Sequence, residues 1–302
     1  MLAVPCSATM RGEGGWERAC RWRRFVMPTV VAALFAATGG CTTTDTTLAQ
    51  EDPGPLHVHA LAVDPEDAQT LLAATHTGLF RLDGDGARRI SEHWHDLMAF
   101  AVAADGGLLA SGHPALDTDH LRVPGRPPHL GLVRSDDGGR SWSEVSLLGE
   151  ADLHALVVTE GLLLGAEATQ GSLLASTDGG RSWQERGQVE LVALAAQPDG
   201  QLLVGSTIDR VVRSDDGGRT WAPVTAGPAV LATAEDAFIA ADPHGQVHRS
   251  TDGVDWERVG SLPSAPEALL GDGARLYAWT VDNGLQVSDD AGATWRPGFA
   301  ER

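Results

Sequence analysis

Short apolar runs separated by polar, glycine-rich turns predict a series of β-strands from residue 56 to the end of the chain. The first unit contains four such runs, at residues 57–63, 70–74, 78–82 and 87–90. Runs this short, bounded by Gly and Asp, are typical of strands and not of helices. Similar first runs recur at residues 96–102, 152–158 and 190–196, and less clearly near Ala229 and Glu267. The pattern predicts six units of four strands, with seven as the alternative if a terminal segment contains another unit.

A segment of the form S-x-D-x-G-x-x-W recurs before the last strand of these units. Counted from the leading serine, five copies follow at intervals of 41, 38, 36 and 38 residues, and the fourth copy is one residue short. A fixed period near forty indicates a repeat protein in which each repeat is one supersecondary unit. Asp and Gly tolerate the positive φ of a tight turn, and the Trp can pack back on the hairpin. We call these segments the repeat turns; their shared positions are Ser135, Asp137, Gly139, Trp142, Ser176, Asp178, Gly180, Trp183, Ser214, Asp216, Gly218, Trp221, Ser250, Asp252, Trp256, Ser288, Asp290, Gly292 and Trp295.

The repeat turns resemble the Asp-box (BNR) repeats of sialidases, sortilin-type receptors and photosystem II assembly factors. This resemblance implies an all-β propeller in which each box lies between the two outer strands of a blade, away from any active site. Residues 57–65, 74–80, 111–114 and 129–132 also resemble a group of secreted bacterial proteins usually labelled sialidase-like or glycosyl hydrolase. The resemblance spans residues 56–302. We therefore expect the repeat turns to be structural.

The first forty residues have the features of a secretory leader. Arg21, Arg23 and Arg24 precede an apolar run at residues 25–37, which is too short for a membrane span and is followed by small residues and Cys41. A basic segment, an apolar segment and small residues before a cleavage point are typical of signal peptides. The cysteine after Gly39 and Gly40 resembles a bacterial lipobox and predicts lipidation of Cys41. We expect residues 1–40 to be the leader, 41–55 a polar tether and 56–302 the propeller, on an extracytoplasmic lipoprotein held to the membrane through its lipid alone.

Charge narrows the choice of partners. The formal net charge is −19, and the basic leader leaves about −22 on the remaining residues. Such a surface argues against nucleic acids and anionic headgroups as ligands. The partners that remain are a small ligand, a glycan or another extracytoplasmic protein.

The histidines predict a site on one face of the propeller. Eight of the 11 lie between residues 57 and 129. In a meandering blade, the start of the first strand and the end of the second lie at the same face, so residues at those positions converge near the channel. Imidazoles favour Cu or Zn, and a thioether favours copper, so we expect a divalent transition metal as the cofactor. The candidate ligands are His57, His59, His76, Asp96, Met98, His113, Asp152 and His154. A proline-rich loop at residues 114–129, with Asp117, Asp119, His120 and His129, is expected to fold over them.

Two alternatives remain at this point. The same side chains could be the polar lining of a wet channel. The chain could also be a glycoside hydrolase that uses two carboxylates, such as Asp96 with Asp152 or Glu190. Sialidases share an arginine triad and a tyrosine nucleophile. This constellation is not evident here, because Tyr277 falls within a strand and Arg81, Arg134, Arg213 and Arg249 fall on the face of the repeat turns.

Overall fold

The computed structural model describes residues 52–91 and 93–299. Within them the chain forms six four-stranded antiparallel sheets and one short 3-10 helix at Asp119–Leu121. The predicted leader, Cys41 and the tether up to residue 51 lie outside the described residues. No helix in the described ranges is long and apolar enough to cross a lipid bilayer.

Each sheet is a meander of four consecutive strands. The first three sheets are β1–β4 at Val58–Asp64, Asp67–Thr75, Gly78–Asp83 and Gly86–Arg89; β5–β8 at Asp96–Val102, Leu108–His113, Leu132–Ser135 and Ser143–Ser146; and β9–β12 at Leu153–Val158, Leu163–Glu167, Ser172–Ser176 and Gln184–Gln188. The other three are β13–β16 at Ala193–Ala196, Leu203–Ser206, Arg210–Ser214 and Ala222–Ala226; β17–β20 at Val230–Ala234, Ala237–Ala241, Gln246–Ser250 and Glu257–Ser261; and β21–β24 at Pro266–Asp272, Arg275–Thr280, Gly284–Ser288 and Arg296–Pro297.

The six sheets are the blades of a β-propeller, which confirms the predicted fold class and blade number. The first strands of neighbouring blades contact one another around the ring, and β21 of the sixth blade contacts β1 of the first. All four strands of each blade are consecutive in the chain, so no strand is exchanged between the first and last blades of the described part. The ring therefore closes through side-chain packing.

Six apolar clusters hold the ring together, one at each boundary between neighbouring blades. The cluster that closes the ring packs Val58 and Phe80 of the first blade against Tyr277 and Val287 of the sixth. Burial of apolar surface is the main favourable term in folding, and here every blade contributes a face to two clusters. The blades consequently depend on their neighbours for stability.

The repeat turns are closed by their own side chains. In the second copy, the Ser176 hydroxyl donates to Asp178 Oδ1 at 2.8 Å and accepts the Gly180 N–H at 2.8 Å. Asp178 then accepts the N–H and the hydroxyl of Ser182, at 2.9 and 2.6 Å. Equivalent bonds close the turns that begin at Ser135, Ser214 and Ser288. In the second copy, the hydrogen bonds that Asp178 accepts, above all the one from the Ser182 hydroxyl, lower the pKa of this carboxyl group to about 2.

The tryptophans of the repeat turns pack between blades. Trp142 is 6% exposed and joins the cluster between the first and second blades, whereas Trp183 is half-buried between the second and third. Trp183 also donates its indole N–H to the Ser146 hydroxyl of the second blade at 3.0 Å. We expected each Trp to fasten its hairpin to its own blade; the structure shows that it also fastens that blade to the preceding one.

Candidate functional site

A small cavity lies where the six innermost strands begin. Its volume is about 180 Å³, and all six blades contribute to its wall. The side chains at equivalent positions are His59, Met98, His154, Val192, Val230 and Glu267. The cavity is therefore polar towards the sixth, first and third blades, has a thioether from the second, and is apolar towards the fourth and fifth.

β-Bulges lie at four of these six positions. On β1, Val58 pairs with Thr75 and Ala60 with Ala74, so His59 is an extra residue in its strand. The first strands of the second, third and sixth blades carry the same irregularity, and their extra residues are Met98, His154 and Glu267. The fourth and fifth blades, which present valine here, pair without a bulge. Bulges that redirect side chains are common next to functional sites.

Three imidazoles meet at the rim of this cavity, and we call them the histidine trio. One ligand atom from each of His57, His59 and His76 lies within 4.8 Å of those of the other two. The His59 ring stands edge-on to the other two, with ring centroids 4.7 and 4.5 Å apart. His57 has a φ of 52°. This left-handed conformation is uncommon for a non-glycine residue and is often found at functional sites.

Carboxylates hold the two outer rings of the trio. Glu267 Oε1 lies 2.8 Å from His57 Nδ1, and Asp96 Oδ1 lies 2.8 Å from His76 Nδ1. In a neutral ring the nitrogen facing the carboxylate carries the proton, which leaves the lone pair on Nε2. Such a carboxylate behind an imidazole is the usual second-shell arrangement of a histidine that binds a metal.

The third ring, His59, is kept neutral. Burial lowers its pKa to about 3, and the neighbouring His57 and His76 add to the effect through their charges. Its Nε2 atom is buried and has no hydrogen-bond partner among the described residues. A buried polar atom without a partner is costly and rare in native proteins. The trio thus offers a desolvated imidazole beside two oriented ones.

A second group of ligand atoms lies beside the trio. His113, His129 and Asp152 each place one such atom within 4.8 Å of the others. Asp152 Oδ2 lies 3.1 Å from His154 Nε2 and 3.5 Å from His113 Nε2. The other nitrogen of His113 lies 3.4 Å from Asp96 Oδ2. Asp96 therefore stands between His76 of the trio and His113 of the second group.

Burial and hydrogen bonds shift the pKa values of Asp152 and of its neighbour His154. Burial raises the pKa of Asp152, but the hydrogen bond from His154 and the nearby imidazoles outweigh it, so the net pKa is lowered. The hydrogen bond to Asp152 raises the pKa of His154. Glu167, at the end of β10, accepts the Asp152 N–H at 3.3 Å and fixes the backbone there.

The proline-rich loop contributes one residue to the site. His129, at its end, is the loop residue that joins a ligand group within the described ranges. Asp117 instead pairs with His93 at 3.1 Å. The loop is anchored through buried Thr118 and Leu121, and through the Ala115 N–H, which donates to His95 Nδ1 at 3.1 Å.

Every candidate ligand chosen from the sequence lies at this face, but in distinct roles. His57, His59 and His76 form the trio; His113 and Asp152 belong to the second group; Asp96 bridges the two; Met98 and His154 line the cavity. Glu267 and His129 were not among the chosen ligands. Glu267 could have been found from its place at the start of the sixth blade, which matches that of His59.

The residues considered for a sialidase site are engaged in core packing or in ion pairs. Tyr277 is buried in the cluster that closes the ring. The arginines at the far face form ion pairs, for example Arg81 with Asp64 at 2.8 Å and Arg134 with Asp136 at 2.7 Å.

Comparisons with known proteins identify the fold. No protein-family model matches the chain, and no curated protein matches its sequence. Solved propellers do match in structure. A chain of the nidogen/laminin complex has a TM-score of 0.58 at 12% identity, over 75% of this chain and 91% of that one.

Two glycoside hydrolase structures also match. The GH74 xyloglucanase from Xanthomonas campestris has a TM-score of 0.53 at 17% identity, over 81% of this chain and 45% of the enzyme. An ancestral GH74 enzyme has a TM-score of 0.53 at 15% identity, over 78% and 37%. At such identities the likeness concerns the fold alone, and this chain spans less than half of either enzyme.

Proposed function

We propose that this protein is a binding module that holds a divalent transition metal, copper or zinc, on the histidine trio. The observation that supports it most is the buried, unpartnered Nε2 of His59 beside two imidazoles whose Nδ1 atoms face carboxylates. A metal would take one nitrogen lone pair from each imidazole at about 2.0–2.1 Å, once the His57 and His76 rings, which are stacked with centroids 5.0 Å apart, turn so that their lone pairs converge. The free position would remain for water or a small ligand.

The nearby Met98 bears on the choice of metal. It lines the same cavity as His59. Three imidazoles suit both zinc and copper, and a soft sulfur favours copper. We propose copper as the preferred metal.

Calorimetric titration of Cu(II) and Zn(II) into the purified protein tests the proposal. We expect one equivalent to bind at the trio, and His57→Ala/His59→Ala to abolish that binding. His244→Ala is a matched control, because His244 lies in the fifth blade and belongs to neither group of candidate ligand atoms. Parent-like binding by the double variant, or binding to the parent no tighter than about 1 mM, would mean that the imidazoles only line a wet channel.

The setting that we propose is extracytoplasmic. Cys41, after an apolar run and Gly39-Gly40, would carry the lipid, and the propeller would face a small ligand, a glycan or another protein outside the cytoplasm. The acidic surface argues against nucleic acid as a partner.

The alternative function, glycoside hydrolysis, has less support at this face. Asp96 and Asp152 would have to act as the acid and base or nucleophile. Each carboxylate instead lies within hydrogen-bonding or ion-pairing distance of two imidazoles. Turnover of a glycoside by protein freed of metal with a chelator would favour the hydrolase over the metal module.

A further inference from the structure

We propose that His113, His129 and Asp152 form a second divalent-metal site, separate from the histidine trio and joined to it through Asp96. The two sites use different side chains, so the second does not depend on the first being a metal site. Its donors are two imidazoles and one carboxylate, a set that suits Zn²⁺ and similar first-row ions.

Two of the three donor residues carry buried atoms without a partner. His129 Nδ1 and Asp152 Oδ1 are both buried and make no hydrogen bond among the described residues. Asp152 as a whole is only 7% exposed. Each of these residues also supplies one atom to the group within 4.8 Å, and a buried polar atom without a partner is expensive. A bound cation would satisfy both at once.

The third donor, His113, stands between two carboxylates. Its Nδ1 lies 3.4 Å from Asp96 Oδ2, and its Nε2 lies 3.5 Å from Asp152 Oδ2. A neutral imidazole has one N–H and can donate to only one of them. In the neutral ring the other nitrogen then faces a carboxylate oxygen, lone pair towards lone pair, whereas a protonated ring would donate to both carboxylates. A metal between His113 and Asp152 removes this repulsion and allows Nδ1–H to donate to Asp96.

The donor atoms are close enough for a metal. They lie within 4.8 Å of one another, whereas donors around a tetrahedral ion at about 2.0–2.2 Å are separated by roughly 3.4 Å. Closing that difference requires side-chain movements on the order of 1 Å. His129 ends the proline-rich loop, directly before Leu130, which is fully buried. The loop thus brings one ligand to a site whose other two ligands come from the second and third blades.

Asp96 connects the two sites because its carboxylate contacts one candidate ligand of each. Its Oδ1 faces His76 of the trio and its Oδ2 faces His113 of the second site. Loss of such a carboxylate typically weakens metal binding about 10- to 100-fold. Asp96→Asn should therefore weaken both sites, whereas a change to a ligand should remove one site.

The test is titration of Zn(II) into the full chain and four variants, with Co(II) absorption as a second readout. We expect two equivalents in the parent and one each in His59→Ala and His129→Ala. Asp96→Asn should keep two, each about 10- to 100-fold weaker. His129→Gln, which keeps much of the side-chain volume, should also lose one equivalent. Unchanged circular dichroism would show that each variant is folded.

The outcomes separate this proposal from the function proposed above. If the parent binds one equivalent that only His59→Ala removes, the second site is wrong and the trio stands. If it binds one that only His129→Ala removes, the trio is wrong and the second site stands. One equivalent removed by both changes would mean a single shared site and would overturn the two-site arrangement. No binding by the parent would overturn both proposals.

Discussion

We predict that a buried histidine outside the proposed metal ligands makes the stability of this protein depend on pH. His95 is 3% exposed, and its Nδ1 accepts the Ala115 N–H that anchors the proline-rich loop. Burial lowers its pKa from about 6.5 to about 4, with further lowering by the charges of His93, His120 and Arg122 and a partly opposing effect of Asp117. Protonation would also turn the accepting nitrogen into a donor that faces another donor. The folded protein therefore holds this ring neutral.

The expected loss of stability follows from the two pKa values. Between pH 6.5 and about 4 the unfolded chain binds this proton and the folded chain does not, so stability falls as the pH falls. The loss begins below the unfolded-state pKa and levels off below the folded-state pKa. Going from pH 8 to pH 5, this one group should lower the free energy of unfolding by about 2 kcal/mol.

Comparison with His95→Asn isolates this contribution. The asparagine Oδ1 can replace Nδ1 as the acceptor for Ala115 but does not titrate, and the cost of its smaller volume is independent of pH. We would measure urea unfolding of both proteins at pH 8 and pH 5, with a chelator present so that metal binding does not contribute. The parent should lose about 2 kcal/mol more than the variant. Equal losses in the two proteins, within about 0.5 kcal/mol, would refute the argument.

Three further predictions concern the repeat turns and the anchor. Trp142→Ala should lower the free energy of unfolding by about 3–5 kcal/mol and Trp183→Ala by less, because Trp142 is buried and Trp183 is half-buried. Metal affinity should be unchanged in both variants. A loss of affinity without a loss of stability would contradict a structural role. Gly180→Ala should lower the free energy of unfolding by about 1–3 kcal/mol more than Gly161→Ala in the same assay. Both glycines have positive φ, but only at Gly180 would a Cβ meet a leucine of the neighbouring blade, at 2.1 Å. Equal losses would mean that the blades separate easily there. Cys41→Ser should leave the propeller folded and release it from the membrane fraction of cells; a variant that still sediments with membranes would disprove the lipid anchor.

The sequence determined the blades because their signals are local. Each repeat turn is closed by hydrogen bonds that span at most four residues, such as those from the Gly180 N–H to the Ser176 hydroxyl and from the Ser182 N–H to the Asp178 carboxylate. The spacing of these residues therefore predicts the turn without knowledge of the rest of the molecule. Strand alternation and the forty-residue period then predict the blades, and their starts and ends predict that His57, His59 and His76 share a face.

Only the tertiary structure decided how the candidate ligands on that face are divided into two groups. Closure of the ring brings Glu267 to His57 across 210 residues, and this contact depends on the packing between the sixth and first blades. The bulge that makes His59 an extra residue of its strand depends on the pairing of β1 with β2, and strand alternation alone cannot predict it. The position of Asp96 between two groups of ligands, and of His129 in one of them, depends on how adjacent blades and a long loop pack together. Such contacts between distant residues arise from the summed packing of the whole ring, and no local pattern in the sequence records them.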